Sequence, residues 1–237
     1  EALLESLMKL FALLTDIKTE SKTGRARYMV EDFLGRHFNS EYVQQYLEKF
    51  DGFLERYHSH IYSNNRELIE KQASDNQTRI LNICNQINQE MEQEPKVILF
   101  VQLLDFLKKE ETISEEEHYF VDLLAENMKI DPQDYNNLKT FILEDPAHVN
   151  DKGSLLYISG DKEPPDPAIK HIYNSRQQVV VWVLRVRSTK TFVFRYWGAR
   201  NLYLNGHKVE QNRTYILAVG AVIKTSRMAP VYYGRVA

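Results

Sequence analysis

"VVVWVLRVRSTKTFVFRYWGARNLYLNGHKV", residues 179–209, decides how this chain is read, because its side chains alternate with a period of two. Trp182, Leu184 and Val186 fall on one face, and Val183, Arg185 and Arg187 on the other. Phe192, Phe194 and Tyr196 repeat the alternation against Val193, Arg195 and Trp197. The pattern predicts strands with one face in a core and the other in water. Asn205-Gly206 supplies two adjacent residues that tolerate positive φ, so a two-residue type I′ hairpin is expected there.

Working outward, short apolar runs near 154–158, 201–204, 214–218, 221–225 and 230–233 read as further strands of a small sandwich or barrel. Gly153, Gly160 and the prolines of KEPPDP break helix formation before them, and no helix is expected beyond residue 146. Upstream the period changes to that of a helix. Met29, Val30, Phe33, Leu34, His37 and Phe38 form one stripe, and Phe120, Val121, Leu124, Ala125 and Met128 another. Helices are expected at 2–17, 24–37, 40–58, 76–92, 95–109, 114–128 and 131–144, with a short one around Glu67–Gln72. Ser114 with Glu117 reads as a capping box, and Asp131-Pro132 as an N-cap followed by proline at the first helical position.

A shift of 91 residues pairs Leu13 with Leu104, Met29 with Phe120, Val30 with Val121, Phe33 with Leu124, Leu47 with Leu138 and Phe50 with Phe141. That register spans three helices and points to a duplicated three-helix unit. The chain is therefore expected to be α+β in two domains, an all-α duplicated helical domain at 1–147 and an all-β sandwich at 148–237.

Charge divides in the same place. Residues 1–145 carry 28 acidic and 16 basic side chains, residues 146–237 carry 5 and 14, so a near-neutral total of −3 hides halves of −12 and +9. Such halves either attract each other or leave the basic one for an anionic partner. Nucleic acid is not the expected partner, because Arg185, Arg187, Lys190, Arg195 and Arg200 sit on strands whose aromatics, Trp182 and Phe194, are claimed by the core. With 43% hydrophobic residues, no apolar run near the roughly 18 residues that span a bilayer, no secretory signal and a single cysteine, the composition is that of a globular protein of a reducing, cytoplasmic setting.

Catalytic constellations are not evident. GxxxxGK[ST], HExxH, CxxC and GxSxG do not occur, so no enzymatic activity and no cofactor are expected of this chain. His58-Ser59-His60 reads as an exposed helix end, since residues i and i+2 of a helix diverge, and Cys84 reads as core. The acidic run Glu110, Glu111, Glu115, Glu116 and Glu117 suits either the helix dipole or a hard cation, with Glu110, Glu111 and Glu117 the candidate ligands.

KKEETISEEEHYFVDLLAENMKI resembles the helical unit of the TerB-like (tellurite-resistance) family, with Ile113, Ser114 and Glu117 on its turn motif and Glu110-Glu111 where the family has Asp-Gly. In the first unit the matching positions are Thr19-Glu20 and Ala26, and the likeness covers residues 5–144. The second half resembles a forkhead-associated (FHA) domain, a β-sandwich that reads phosphothreonine through loops at one end. Gly160 stands at its first turn, Ser175-Arg176-Gln177-Gln178 at its SRxH loop and GARNLYLNG at its STNGTFVNG loop. Asp161 replaces an arginine, Gln178 a histidine, and Gly198 and Arg200 a serine and an asparagine, leaving Ser175, Arg176 and Arg200 as the phosphopeptide candidates. Together the halves resemble the N-terminal cytoplasmic region of certain bacterial ABC-type transporter ATP-binding proteins. That likeness implies a non-catalytic regulatory or protein-interaction role at the inner face of the membrane, with the nucleotide-binding domain outside these residues. Phosphopeptide binding and divalent-metal sensing are the alternatives.

Overall fold

A computed structural model describes residues 2–15, 20–35, 38–59, 65–108, 113–174, 179–225 and 230–237, the side chains of 2, 3, 20–23, 69 and 116 excepted. Helices come first and sheets second, as the periodicities require. The helices are α1 (Ala2–Leu14), α2 (Glu20–Gly35), α3 (Ser40–Tyr57), α4 (Arg66–Glu90), α5 (Gln93–Lys108), α6 (Glu115–Asn127) and α7 (Pro132–Leu143). Two 3-10 turns, Pro146–His148 and Lys152–Ser154, lead into the strands.

The start signals act as their chemistry dictates. Glu117 donates its backbone N–H to Ser114 Oγ at 3.2 Å, and Glu117 Oε2 accepts from Ser114 N at 2.7 Å, a complete capping box. Asp131 Oδ1 accepts from Gln133 N and Asp134 N ahead of Pro132. The short helix expected at Glu67–Gln72 is instead the opening of the 25-residue α4, because Asn65 Oδ1 takes the Glu67 N–H at 3.0 Å and starts the helix there.

Packing divides the chain into two compact units, residues 1–92 with 109–129, and residues 93–108 with 130–237. The last long helix ends at Leu143 and the first strand starts at Leu155, but α5 and α7 belong to the unit that holds the strands. The first unit is all helix: α3 packs on α1 and α2, and α4 on α1 and α6. Met8, Phe11, Val30, Leu47, Phe50 and Cys84 fill its core.

In the second unit, β1 (Leu155–Ser159), β2 (Lys170–Tyr173), β3 (Val179–Val186), β4 (Thr191–Gly198) and β7 (Tyr215–Leu217) form one sheet in the order β2-β1-β3-β4-β7. A second sheet runs β6-β5-β8-β9, from β5 (Leu202–Leu204), β6 (His207–Val209), β8 (Val222–Lys224) and β9 (Val231–Tyr232). Among the described residues only the β1–β2 pair is parallel. β2 escapes a periodicity search because, of its four residues, only Ile172 is buried. Ile158, Val181, Val183, Phe194 and Tyr196 of the first sheet share a core with Leu202, Val209, Ile223 and Val231 of the second. The chain closes with α8 (Tyr233–Val236), so the expectation of no helix past 146 fails there. Its single turn places Val236 in the sandwich core.

One expectation about the opening stretch is overturned. The face of Trp182, Leu184, Val186, Val193 and Arg195 and the face of Val181, Val183, Phe192, Phe194 and Tyr196 are both buried. Neither is wet, because α7 packs on β3 from outside while the second sheet covers the other side. Arg185 and Arg187 remain exposed at the end of β3.

Candidate functional site

Three polar side chains tie the helices of the second unit to its sheets. Asp105 on α5 is 3% exposed; its Oδ2 accepts from Arg213 Nε at 2.7 Å and its Oδ1 from Thr214 N at 2.8 Å. Asp134 on α7 accepts the backbone N–H groups of Arg187 and Ser188, each at 2.9 Å, and so caps the β3–β4 hairpin. Arg195 on β4 returns the link, donating from Nη1 to the Phe141 carbonyl of α7 at 2.5 Å. Burial drives its pKa down to about 10, with only partial compensation by the Asp105 charge.

Beside Arg195 lies a cavity of about 540 Å³. Trp182 and Trp197 form apolar wall, Arg195 and Lys108 bring positive charge, and Glu144, Asp145 and Asn212 also line it. The Arg195 guanidinium stacks 4.6 Å from the Trp197 ring centre, and Nη2 donates to Asn212 Oδ1.

A second region collects the loops singled out by sequence. β1 and β2 run parallel, β3 opposes β1, and Gly198 pairs with Val179, so Ser159, Asn174, Val179 and Gly198 all leave the sheet at one end. Asp161 and Arg200 therefore emerge together. Asp161 is engaged: its Oδ2 accepts from Tyr157 Oη at 2.5 Å and its N–H meets Ser159 Oγ at 3.1 Å. Burial, and then the hydrogen bond to Asp161, push the Tyr157 phenol up to about 12. Gly198, at φ 143°, is held by both ends of the Gln211 amide, at 2.8 and 3.2 Å. Arg200 is half-buried. Ser175 and Arg176, with Gln177 and Gln178, lie outside the described residues.

Of the acidic candidates, Glu110 and Glu111 also lie outside the described residues, and Glu117 holds the Ser114 backbone. Among the described residues no group of three or more His, Cys, Asp or Glu is placed to hold a metal ion. His58 Nε2 lies 2.8 Å from the Ala12 carbonyl, and His60 is outside the described residues. Cys84 is fully buried, its thiol pushed up to about 12 by burial, so the core reading holds. Among the described residues no helix is long and apolar enough to cross a membrane.

No protein-family model, curated protein or solved structure matches this chain.

Asp105, Asp134 and Arg195 were not singled out by motif. A signal for the two acids does exist. Under the 91-residue shift, Asp105 stands where the first copy has Leu14 and Asp134 where it has Val43.

Proposed function

We propose that this chain is a non-catalytic regulatory and protein-interaction region: a TerB-like duplicated helical part followed by an FHA-like β part, set N-terminal to the nucleotide-binding domain of a bacterial ABC-type transporter ATP-binding protein. The observation that carries the interaction role is that Asp105 of α5 and Asp134 of α7 hold backbone groups of the β part, so helices serve to mount a β-sandwich. The FHA-like reading draws support from the two-sheet architecture and from the convergence of three loops at one sheet end. Asp161, hydrogen-bonded to Tyr157 where a phosphate-binding arginine would be wanted, favours docking over phosphate reading.

Charge supports a protein partner. The helical unit carries 22 acidic and 13 basic side chains, net −9, and the unit with the sheets 11 and 17, net +6. An acidic surface suits the second, whether it belongs to another protein or to the first unit. The setting is tested by reading in frame past Ala237. A Walker A loop within roughly the next 100 codons, a typical domain length, supports the ATPase context, and a stop codon removes it.

The phosphopeptide reading keeps one observation in its favour, the shared sheet end of Asp161 and Arg200. Titration with phosphothreonine peptide libraries decides it: binding no stronger than that of unphosphorylated controls ends that alternative.

A further inference from the structure

Trp182 and Trp197 are the only tryptophans of the chain, and both line the cavity beside Arg195. Arg195 is 1% exposed, and no carboxylate of the described residues pairs with it. A buried guanidinium needs acceptors for its N–H groups, and it prefers them in pairs that match its planar fork. Nη1 is committed to Phe141 O. The other edge, formed by Nε and Nη2, presents two parallel N–H groups. Nη2 donates to the amide oxygen of the exposed Asn212, whereas Nε is buried with no partner among the described residues. One amide oxygen half-fills a fork that a carboxylate would fill completely.

We propose that this cavity binds a small carboxylate carried on an aromatic ring. The carboxylate replaces Asn212 Oδ1 on the Nε–Nη2 edge of Arg195, and the ring packs on the two indoles. Lys108 adds positive charge to the same cavity. The acids of the lining do not compete for the fork. Glu144 and Asp145 are exposed, and Asp145 Oδ1 already accepts from Ala147 N at 2.8 Å. The volume suits a small organic molecule. The same chemistry is found in a free aromatic acid and in the C-terminus of a peptide that ends in phenylalanine.

Both tryptophans of the chain line this cavity, which makes their emission a direct readout of its occupancy. The full chain is titrated with benzoate and with acetyl-Ala-Ala-Phe, each against its uncharged amide. A saturable emission change is expected from at least one acid, weaker by about tenfold or more for its amide, and the tighter of the two acids identifies the source. Asn212→Asp supplies a carboxylate from within the chain and is expected to cut affinity about tenfold or more, while Asn212→Ala retains or tightens binding. Neither variant touches the Arg195–Phe141 bond, so both test occupancy without removing that link. Absence of a saturable change with both acids overturns the proposal, as does equal binding of acids and amides, or unchanged affinity in Asn212→Asp.

Discussion

Arg213 Nε lies 2.7 Å from Asp105 Oδ2, joining α5 to a loop 108 residues further along the chain. The Arg213 side chain is 14% exposed and that of Asp105 3%, so the pair is largely removed from water. Breaking such a pair from one side strands a charge. Asp105→Leu, which supplies the residue type of its shifted counterpart Leu14, is expected to cost about 3–5 kcal/mol, and Asp105→Asn about 1–3 kcal/mol. Urea denaturation followed by tryptophan emission measures both. Adding Arg213→Met to Asp105→Leu should recover part of the loss; strictly additive losses would mean that the pair is not coupled.

Asp134 makes a different kind of link, because both its donors are backbone. Asp134→Ala leaves the Arg187 and Ser188 amides without their acceptors. Both bonds are only part-buried and water can reach the freed amides, so each is expected to cost about 1 kcal/mol. Hydrogen exchange locates the effect: those two amides should exchange faster than in the native protein, while β5 and β6 stay protected. Uniform acceleration would point to global unfolding instead.

At Asn205-Gly206 both residues have positive φ, 51° and 88°, as a type I′ turn requires. Nothing lies within 4 Å of a Cβ built on Gly206, so a substitution there meets conformational strain alone. Gly206→Ala is expected to cost about 1 kcal/mol, and the β-branched Gly206→Val more. Asn205→Ala additionally loses the Val222 N–H bond to Oδ1 at 2.9 Å. Chemical denaturation ranks the three.

Cys84 sets an alkaline limit on the helical unit. Its folded thiol is raised from 9.0 to about 12 by burial. Below pH 9 both states are protonated and this contribution is fully present. Between pH 9 and 12 only the unfolded thiol ionises, so stability falls as pH rises. Cys84→Ala should flatten that fall in circular-dichroism melts across this range, at the cost of a small core cavity. The native thiol should also resist a thiol reagent until the unit unfolds.

Glu117 separates capping from metal binding. Glu117→Ala is expected to cost about 1 kcal/mol through loss of the capping box. If its carboxylate also ligates a cation, added Mg²⁺ or Ca²⁺ raises the Tm of the native protein and not of the variant. A rise of equal size in both removes Glu117 from any such site.

Local signals were legible wherever a few neighbouring residues suffice. Ser114 with Glu117, Asp131 with Pro132 and Asn205 with Gly206 act within a span of a few residues, and each does in the structure what its chemistry dictates. The apolar positions that the 91-residue shift pairs are core positions: Val30 and Val121, Leu47 and Leu138, and Phe50 and Phe141 are all buried. The start of α4 at Asn65 is hard to read from sequence, because the helix it opens carries a weak apolar stripe in its first turns.

By itself the sequence determined the order of helix and strand, the caps and the hairpin turn, because each rests on periodicity or on bonds between near neighbours. Tertiary structure alone decided that α5 and α7 side with the sheets, that α7 packs on the outer face of β3, and that Asp105, Asp134 and Arg195 each join helix to sheet. Alternation along a strand says which residues share a face and not what covers it. The partners that join those three charges across helix and sheet lie between 53 and 109 residues away in the chain, beyond the reach of any local pattern.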